Sequence, residues 1–284
     1  MPLPVDAHVH SEFSWDTGGP AHAAGRMSAT VAHAERIGLP GLILTEHLDL
    51  EPDWRTDPAD LPPNVRHLVD TEGVVRTPAF DQAGYLDSIE RCRSEHPDVL
   101  VLTGLELGQP HLRWVQAAAV LDLSQFDRIN GSLHTIAHDG HRYEPSTLYR
   151  LLPADEVVRR YLAELVVMAG SDAGFTTVTH LDYAARYWPI AQLGPFDPRR
   201  FEGEIRAAMR AIATSGRALE MNTRVLWPWM PRWWAEEGGW AITFGSDAHL
   251  PADLARGFPD TVEMVEALGF RPGRAPQDPW VRSS

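Results

Sequence analysis

The chain has 284 residues, 44% of them hydrophobic, and a formal net charge of −14. This length can bury a sizeable core as one large domain or two small ones, and the acidity argues against a nucleic-acid polymer as a partner. A single cysteine excludes an internal disulfide and a cysteine-rich zinc site, and the lack of lysine excludes Schiff-base and P-loop lysine chemistry.

Short apolar runs alternate with longer helical segments along the chain. Seven runs are predicted to form strands, at residues 3–10, 40–47, 99–107, 126–134, 175–181, 217–222 and 240–249. Helix-like segments lie between them, among them residues 28–38, 83–96, 154–170 and 198–216. This alternation predicts an α/β fold with a parallel sheet, either open or closed into a barrel.

Two stretches fall outside this alternation. Residues 50–78 are rich in Pro, Asp and Arg, and an irregular loop of that length is usually a lid or a binding loop. From residue 271 onward the chain carries several Pro and polar residues and is predicted to be irregular. We predict one domain over residues 1–270, with a lid-like insertion at 50–78, followed by an irregular tail at 271–284.

The first predicted strand carries an unusual polar pattern, in the stretch VDAHVH. Asp6, His8 and His10 occupy every second position, so their side chains leave the same face of a strand. Asp6 is a plausible hydrogen-bond acceptor for one of the imidazoles. An aspartate that binds nearby backbone groups is an equally good interpretation.

Further imidazoles and carboxylates occur where apolar runs end. They are His10, His47, Glu106, His134, His180, Asp247 and His249. In a parallel barrel these strand ends share one face, where active sites form. Each residue alone has an ordinary explanation, such as a solvated histidine pair or a salt bridge. Their recurrence at one architectural position favours a site for Zn, Fe or Mn, because imidazole and carboxylate without thiolate suit these metals.

The ordered motifs of this chain resemble those of the PHP (polymerase and histidinol phosphatase) superfamily. They are DAHVH, TEH, GLELG, GSLH, THLD and GSDAH, and they span the chain from Asp6 to His249. The resemblance implies a distorted seven-stranded TIM-like (β/α)7 barrel with a trinuclear metal centre. The FSxD loop around Asp16 is similar to that of the histidinol-phosphatase branch.

The resemblance also implies a ligand set for two to three divalent or trivalent ions of Zn, Fe or Mn. The first ion would bind His8, His10, Glu106 and Asp247. The second would share Glu106 and take His134 and His180. The third would take His47, His249 and Asp16, where many relatives have a histidine.

Contacts to the substrate are harder to predict from the sequence. LEMNT at residues 219–223 resembles the family's LEINTSG, with Asn222 in the motif, but Arg224 replaces the usual small residue. Arg224 and Arg142 are candidates to bind a phosphate, although either alone is more often a solvated surface residue. Trp227 is a candidate wall of the pocket that stacks on an imidazole; core packing is the alternative.

These features together predict a metal-dependent phosphomonoesterase in which a metal-activated hydroxide attacks phosphorus. Glu106 would bridge the metals, and Asp247 or His249 would assist the leaving group. Within the family that the chain resembles, L-histidinol phosphate is the expected substrate, and its hydrolysis is a step of histidine biosynthesis. A nucleotide or another small phosphate ester is the alternative, and a non-catalytic PHP module is less favoured because every motif position keeps a metal-competent residue.

No signal segment and no apolar run long enough to span a bilayer occur in the sequence. We therefore expect a cytoplasmic protein whose partner is a small phosphate ester rather than a membrane. The oligomeric state stays open.

Overall fold

The computed structural model describes residues 3–17, 26–225 and 227–282. Its strands, in chain order, are β1 Asp6–Val9, β2 Gly41–Leu48, β3 Trp54–Arg55, β4 Leu100–Gly108, β5 Arg128–Ser132, β6 Ile136–His138, β7 His141–Tyr143, β8 Thr177–Val178, β9 Ala218–Asn222, β10 Ala241–Gly245, β11 Phe270–Arg271 and β12 Trp280–Arg282. Its helices are α1 Met27–Ile37, α2 Gln82–Glu95, α3 Pro110–Val120, α4 Pro145–Leu148, α5 Ala154–Ala169, α6 Tyr183–Arg186, α7 Ile190–Leu193, α8 Glu202–Thr214, α9 Trp229–Glu236 and α10 Phe258–Ala267. None of these helices is long and apolar enough to cross a membrane.

Seven strands run parallel in the order β1-β2-β4-β5-β8-β9-β10. The two outer strands approach each other: Val9 forms a parallel bridge with Ala248, and the Asp247 amide donates to the His8 carbonyl at 2.9 Å. Each predicted strand overlaps one of the seven, so the predicted (β/α)7 barrel is confirmed. It is distorted, because β8 has only two residues whereas β4 has nine.

The long helices pack an apolar stripe on the outside of the barrel. In α5 the buried residues include Val157, Tyr161, Leu165 and Met168, three or four positions apart, as an amphipathic helix requires. Helix α1 ends at Gly38, whose φ of 70° is left-handed and whose N–H caps the last carbonyls. Such packing leaves the carboxyl ends of the strands free to carry polar side chains.

The stretch at residues 50–78 is folded, which corrects the expectation of an irregular loop. It contains β3 and two 3-10 turns at Pro58–Asp60 and Arg66–Leu68. Strand β3 pairs with β7, and a small separate core forms from Trp54, Leu61, Val65 and Val75. These apolar residues are too widely and irregularly spaced to produce a recognisable period.

The C-terminal tail also departs from the prediction. Strands β11 and β12 pair with each other, and β12 continues the sheet antiparallel to β10, with Ile242 opposite Trp280. Burial of Trp280 against the core anchors the strand. Strands of two or three residues held by a distant neighbour carry almost no local sequence signal.

Candidate metal centre

All nine predicted metal ligands meet at the carboxyl ends of the barrel strands. His8 lies within β1 and His10 follows it, and they point inward because they alternate along the chain. The others come from the ends of β2, β4, β5, β8 and β10 and from the first loop. A cavity of about 450 Å³ opens over them, and it is lined by Asp16, His47, Glu106, His134, His180, Asp247 and His249.

Four atoms of the first ligand group surround one point. Glu106 Oε2 lies 3.3 Å from His8 Nε2 and 3.5 Å from His10 Nε2. Asp247 Oδ1 lies 3.9 and 3.5 Å from the same two nitrogens. Ligands about 2.0–2.2 Å from a tetrahedral ion stand roughly 3.3–3.6 Å apart, so this spacing fits a metal.

Unsatisfied polar atoms support the same interpretation. Among the described residues, His8 Nε2, His10 Nε2 and Glu106 Oε2 are buried without a hydrogen-bond partner. Burying such atoms without a partner is costly, and native proteins rarely do so. A cation at their centre would satisfy all three.

Glu106 also faces a second group of ligands. Its other oxygen, Oε1, lies 2.7 Å from His180 Nε2 and 3.2 Å from His134 Nε2. One carboxylate therefore presents one oxygen to each group, which is the arrangement of a ligand that bridges two ions. Ser132 donates its hydroxyl hydrogen to Oε1 at 2.6 Å and holds the carboxylate in this orientation.

The third predicted group lies beside the first. Asp16 Oδ2 lies 2.6 Å from His249 Nε2 and 3.4 Å from His47 Nε2. The His10 ring stacks between the His47 and His249 rings, with centroids 4.5 and 4.2 Å away. The structure thus brings Asp16, His47 and His249 together and places them next to His10.

A second layer of polar groups orients the imidazoles. Glu220 Oε1 lies 2.5 Å from His8 Nδ1, and Asp49 Oδ1 lies 2.8 Å from His134 Nδ1. The Ser14 hydroxyl lies 2.9 Å from His10 Nδ1. Such partners fix the ring orientation and direct the other nitrogen at the metal position.

Asp6 takes the second of its two expected roles. Its carboxylate accepts hydrogen bonds from the backbone N–H and hydroxyl of Ser246 and from the N–H of Ala255. It therefore holds the loop after β10 in place, and it binds no imidazole of the described residues. The sequence reasoning missed Glu220, although Glu220 shares a face of β9 with Asn222 at a spacing of two.

The ionisable groups of the site strongly shift one another's pKa values. Burial opposes ionisation of Glu106, but the charges of His8 and His47 hold its pKa well below the usual range. Burial likewise disfavours the charged form of His8, yet Glu220 and Glu106 raise its pKa well above normal. Burial and the nearby His249 and His47 lower the pKa of His10 to about 3. A neutral imidazole is the form that binds a metal ion.

Gly245 provides the space for the contact between His8 and Glu220. A Cβ at this position would overlap the Glu220 carboxylate and lie 2.7 Å from the Cβ of His8. We expect Gly245→Ala to weaken metal binding by about 10–100-fold, the usual effect of disturbing a partner of a metal ligand. Metal titration of the purified variant measures this. Gly203→Ala is the control, since open space surrounds that glycine; wild-type affinity in Gly245→Ala would contradict the assignment.

The residues predicted to bind the substrate lie in different surroundings. Arg224 lines the cavity, with its guanidinium 3.7 Å from Asp247 Oδ2. Asn222 is buried, and its amide donates to Glu220 Oε2 at 3.1 Å, so it supports the second layer. Trp227 packs on Phe196 and Trp229 and stacks on no histidine of the described residues, so the core interpretation holds for its ring.

Arg142 lies outside the cavity lining, which corrects its prediction as a phosphate ligand. Its guanidinium is paired with Glu51 at 3.4 Å and with Glu164, and it also bonds Thr135. These carboxylates come from distant parts of the chain, so the sequence around Arg142 does not reveal that its charge is already matched.

Arg186, which the sequence reasoning did not name, lines the cavity where Arg142 was expected. Its side chain is 10% exposed, and its guanidinium lies 3.1 Å from Asp247 Oδ2. Asp182 binds two of its nitrogens at 3.1 and 3.2 Å and in turn accepts a hydrogen bond from Trp227 Nε1 at 2.9 Å. The spacing of four between Asp182 and Arg186, directly after His180, was the available signal.

Known proteins are similar to this chain in sequence. A family model for the PHP domain matches residues 6–224. A protein named probable histidinol-phosphatase from Clostridium acetobutylicum is 25% identical over 275 residues, covering 94% of this chain and 94% of its own. The histidinol-phosphatase of Lactococcus lactis is 27% identical over 257 residues, covering 87% of this chain and 84% of its own.

A solved structure agrees with the fold. It is the histidinol phosphate phosphatase of Lactococcus lactis, complexed with zinc, L-histidinol and phosphate. It matches with a TM-score of 0.74 at 22% sequence identity and covers 95% of each chain. Since the family model spans well over half of the residues, the chain belongs to the PHP domain family.

Proposed function

We propose that this protein is a metal-dependent phosphomonoesterase that hydrolyses L-histidinol phosphate to L-histidinol and phosphate. The observation that carries the proposal is the position of Glu106, whose two oxygens face two separate ligand groups. The curated relatives that match over most of the chain are histidinol-phosphatases. The Lactococcus structure is a complex with zinc, L-histidinol and phosphate, and the last two are the products of that reaction.

The residues present fit a centre of two to three ions. His8, His10, Glu106 and Asp247 would hold the first, Glu106 with His134 and His180 the second, and Asp16 with His47 and His249 the third. Zn, Fe and Mn all suit these ligands. When bound, such ions supply Lewis-acid charge and lower the pKa of water toward neutrality.

The protein's own cations would bind the phosphoryl group. Arg186 and Arg224 line the cavity on the side of Asp247. Asp182 fixes the Arg186 guanidinium, so its donors are oriented before the substrate arrives. Donors that are already in position stabilise the charge on phosphoryl oxygens with little reorganisation.

Asp247 and His249 are the candidates to assist the leaving alkoxide. Both line the cavity, and Asp247 divides its oxygens between the first ligand group and Arg186. His249 Nε2 lies against Asp16, whereas its Nδ1 lies 3.0 Å from the Asp247 carbonyl. Either could pass a proton through water to the departing oxygen.

A substrate panel tests this proposal. We expect kcat/KM for L-histidinol phosphate to exceed that for p-nitrophenyl phosphate and for adenosine monophosphate by about 100-fold, because polar groups of a specific site reject esters that leave them unpaired. Phosphate release measured with one metal-replete preparation gives the comparison. A nucleotide at the top of the ranking would replace this proposal with the nucleotide alternative. The cytoplasmic location stays a prediction.

A further inference from the structure

The cavity contains a further carboxylate, that of Glu144. Glu144 directly precedes α4, lines the cavity and is 7% exposed. Tyr183 donates its hydroxyl hydrogen to Glu144 Oε1 at 3.0 Å, and Ser146 donates to Oε2 at 3.2 Å. The two hydroxyl groups hold the carboxylate in a defined orientation.

Glu144 differs from the other acidic residues of the cavity in its partners. Asp60 is paired with Arg150, Asp247 with Arg186, and Asp16 lies against His249. Within the part of the chain that the structure describes, no arginine or histidine side chain forms an ion pair with Glu144. A buried carboxylate is costly unless a cation or several donors compensate it. Among the described residues, Glu144 is thus an acidic group of the cavity that is bound by hydroxyl donors and by no cation.

The position of Glu144 relates it to the metal centre. The Tyr183 ring lies 4.9 Å from the His180 ring and 5.6 Å from the His134 ring, between centroids. The Tyr183 hydroxyl contacts Glu144. Tyr183 therefore connects Glu144 to the second ligand group, and all of these residues line the same cavity.

We propose that Glu144 binds a cationic nitrogen of the substrate and so selects for esters whose organic part is positively charged. This inference rests on the proposed phosphomonoesterase activity and names the residue that distinguishes substrates within it. The cavity then offers Glu144 to the cation of the ester, and Arg186, Arg224 and the metal ligands to its phosphate. L-Histidinol phosphate offers an amine and an imidazole, which share this chemistry.

The variant Glu144→Gln tests the assignment because it keeps the size and removes the charge. We expect its KM for L-histidinol phosphate to rise at least about tenfold, since hydrogen bonds to charged groups are among the stronger ones. For p-nitrophenyl phosphate, which has no cation, kcat/KM should change by less than about twofold. Glu144→Asp keeps the charge and should retain part of the preference for the cationic ester.

Glu164→Gln is the matched control. Glu164 is also a poorly exposed glutamate, but it lies outside the cavity lining and is paired with Arg142 and His111. It should leave the ratio between cationic and neutral esters at the wild-type value. Thermal unfolding and bound-metal content of every variant show whether the fold and the ligands are intact.

Two further esters identify the nitrogen that Glu144 binds. 2-Aminoethyl phosphate carries only the amine, and 3-(imidazol-4-yl)propyl phosphate carries only the imidazole. The ester whose affinity falls in the variant Glu144→Gln contains the group that Glu144 binds. Equal loss for cationic and neutral esters, or no loss for either, would overturn the inference. If the wild type prefers another cationic ester to L-histidinol phosphate, the substrate proposal fails while the role of Glu144 stands.

Discussion

Replacing Glu106 with Gln is expected to lower kcat/KM for every phosphate ester by about 1,000-fold or more. Glu106 is the one described carboxylate whose oxygens reach both main ligand groups, with Oε2 near His8 and His10 and Oε1 near His180. A glutamine keeps the shape but replaces one oxygen with an NH2 group, which cannot bind a metal ion. The variant therefore loses the bridge, and with it the paired ions on which hydrolysis depends.

Steady-state kinetics at matched metal concentration measure this effect. Glu90→Gln is the control, because Glu90 is 70% exposed on α2 and forms only a surface ion pair with Arg93, a type of pair that contributes little. It should keep wild-type kinetics. A Glu106→Gln protein that is folded and retains more than a tenth of the activity would refute the bridging role.

Removal of bound metal is expected to abolish activity and to lower the unfolding temperature. Without cations, the buried atoms His8 Nε2, His10 Nε2 and Glu106 Oε2 have no hydrogen-bond partner among the described residues. An ion bound only by the folded state at 1,000 times its Kd stabilises that state by about 4 kcal/mol. Since roughly 1 kcal/mol shifts Tm by about 2–4 °C in a domain of 150–250 residues, we expect a fall of roughly 10 °C or more for the whole centre.

Calorimetry and phosphate release before and after dialysis against a chelator provide the test. Adding back Zn, Fe or Mn should restore both quantities together, and the most effective ion identifies the preferred metal. Full activity in protein shown by elemental analysis to be free of metal would exclude the proposed chemistry.

The metal ligands could be predicted because they repeat one feature, a polar residue at the end of an apolar strand. His47, His134 and His180 each follow this rule, and parallel strands bring such ends together whatever the details of packing. The order of the six motifs then identified the family. Asp16 does not end a strand, and only its resemblance to a family loop assigned it to the site.

The groups around the ligands could not be predicted in the same way. Arg142 and Arg186 have the same chemistry, and each guanidinium is paired with two carboxylates. They differ in position, because Arg186 lines the cavity and Arg142 does not. Glu144 is distinguished by its hydrogen bond from Tyr183 and by the lack of an ion pair with a cation of the described residues. Both features arise only when the chain is folded. Charge matching of this kind depends on contacts between distant parts of the chain.

Anomalous diffraction shows directly whether metal ions bind at the predicted ligands. The data are collected from crystals of the metal-replete protein on both sides of the metal absorption edge. We expect two or three anomalous peaks: one among His8, His10, Glu106 and Asp247, one between Glu106, His134 and His180, and a third beside Asp16. Peaks elsewhere, or no peak at these residues in protein that hydrolyses phosphate esters, would contradict it.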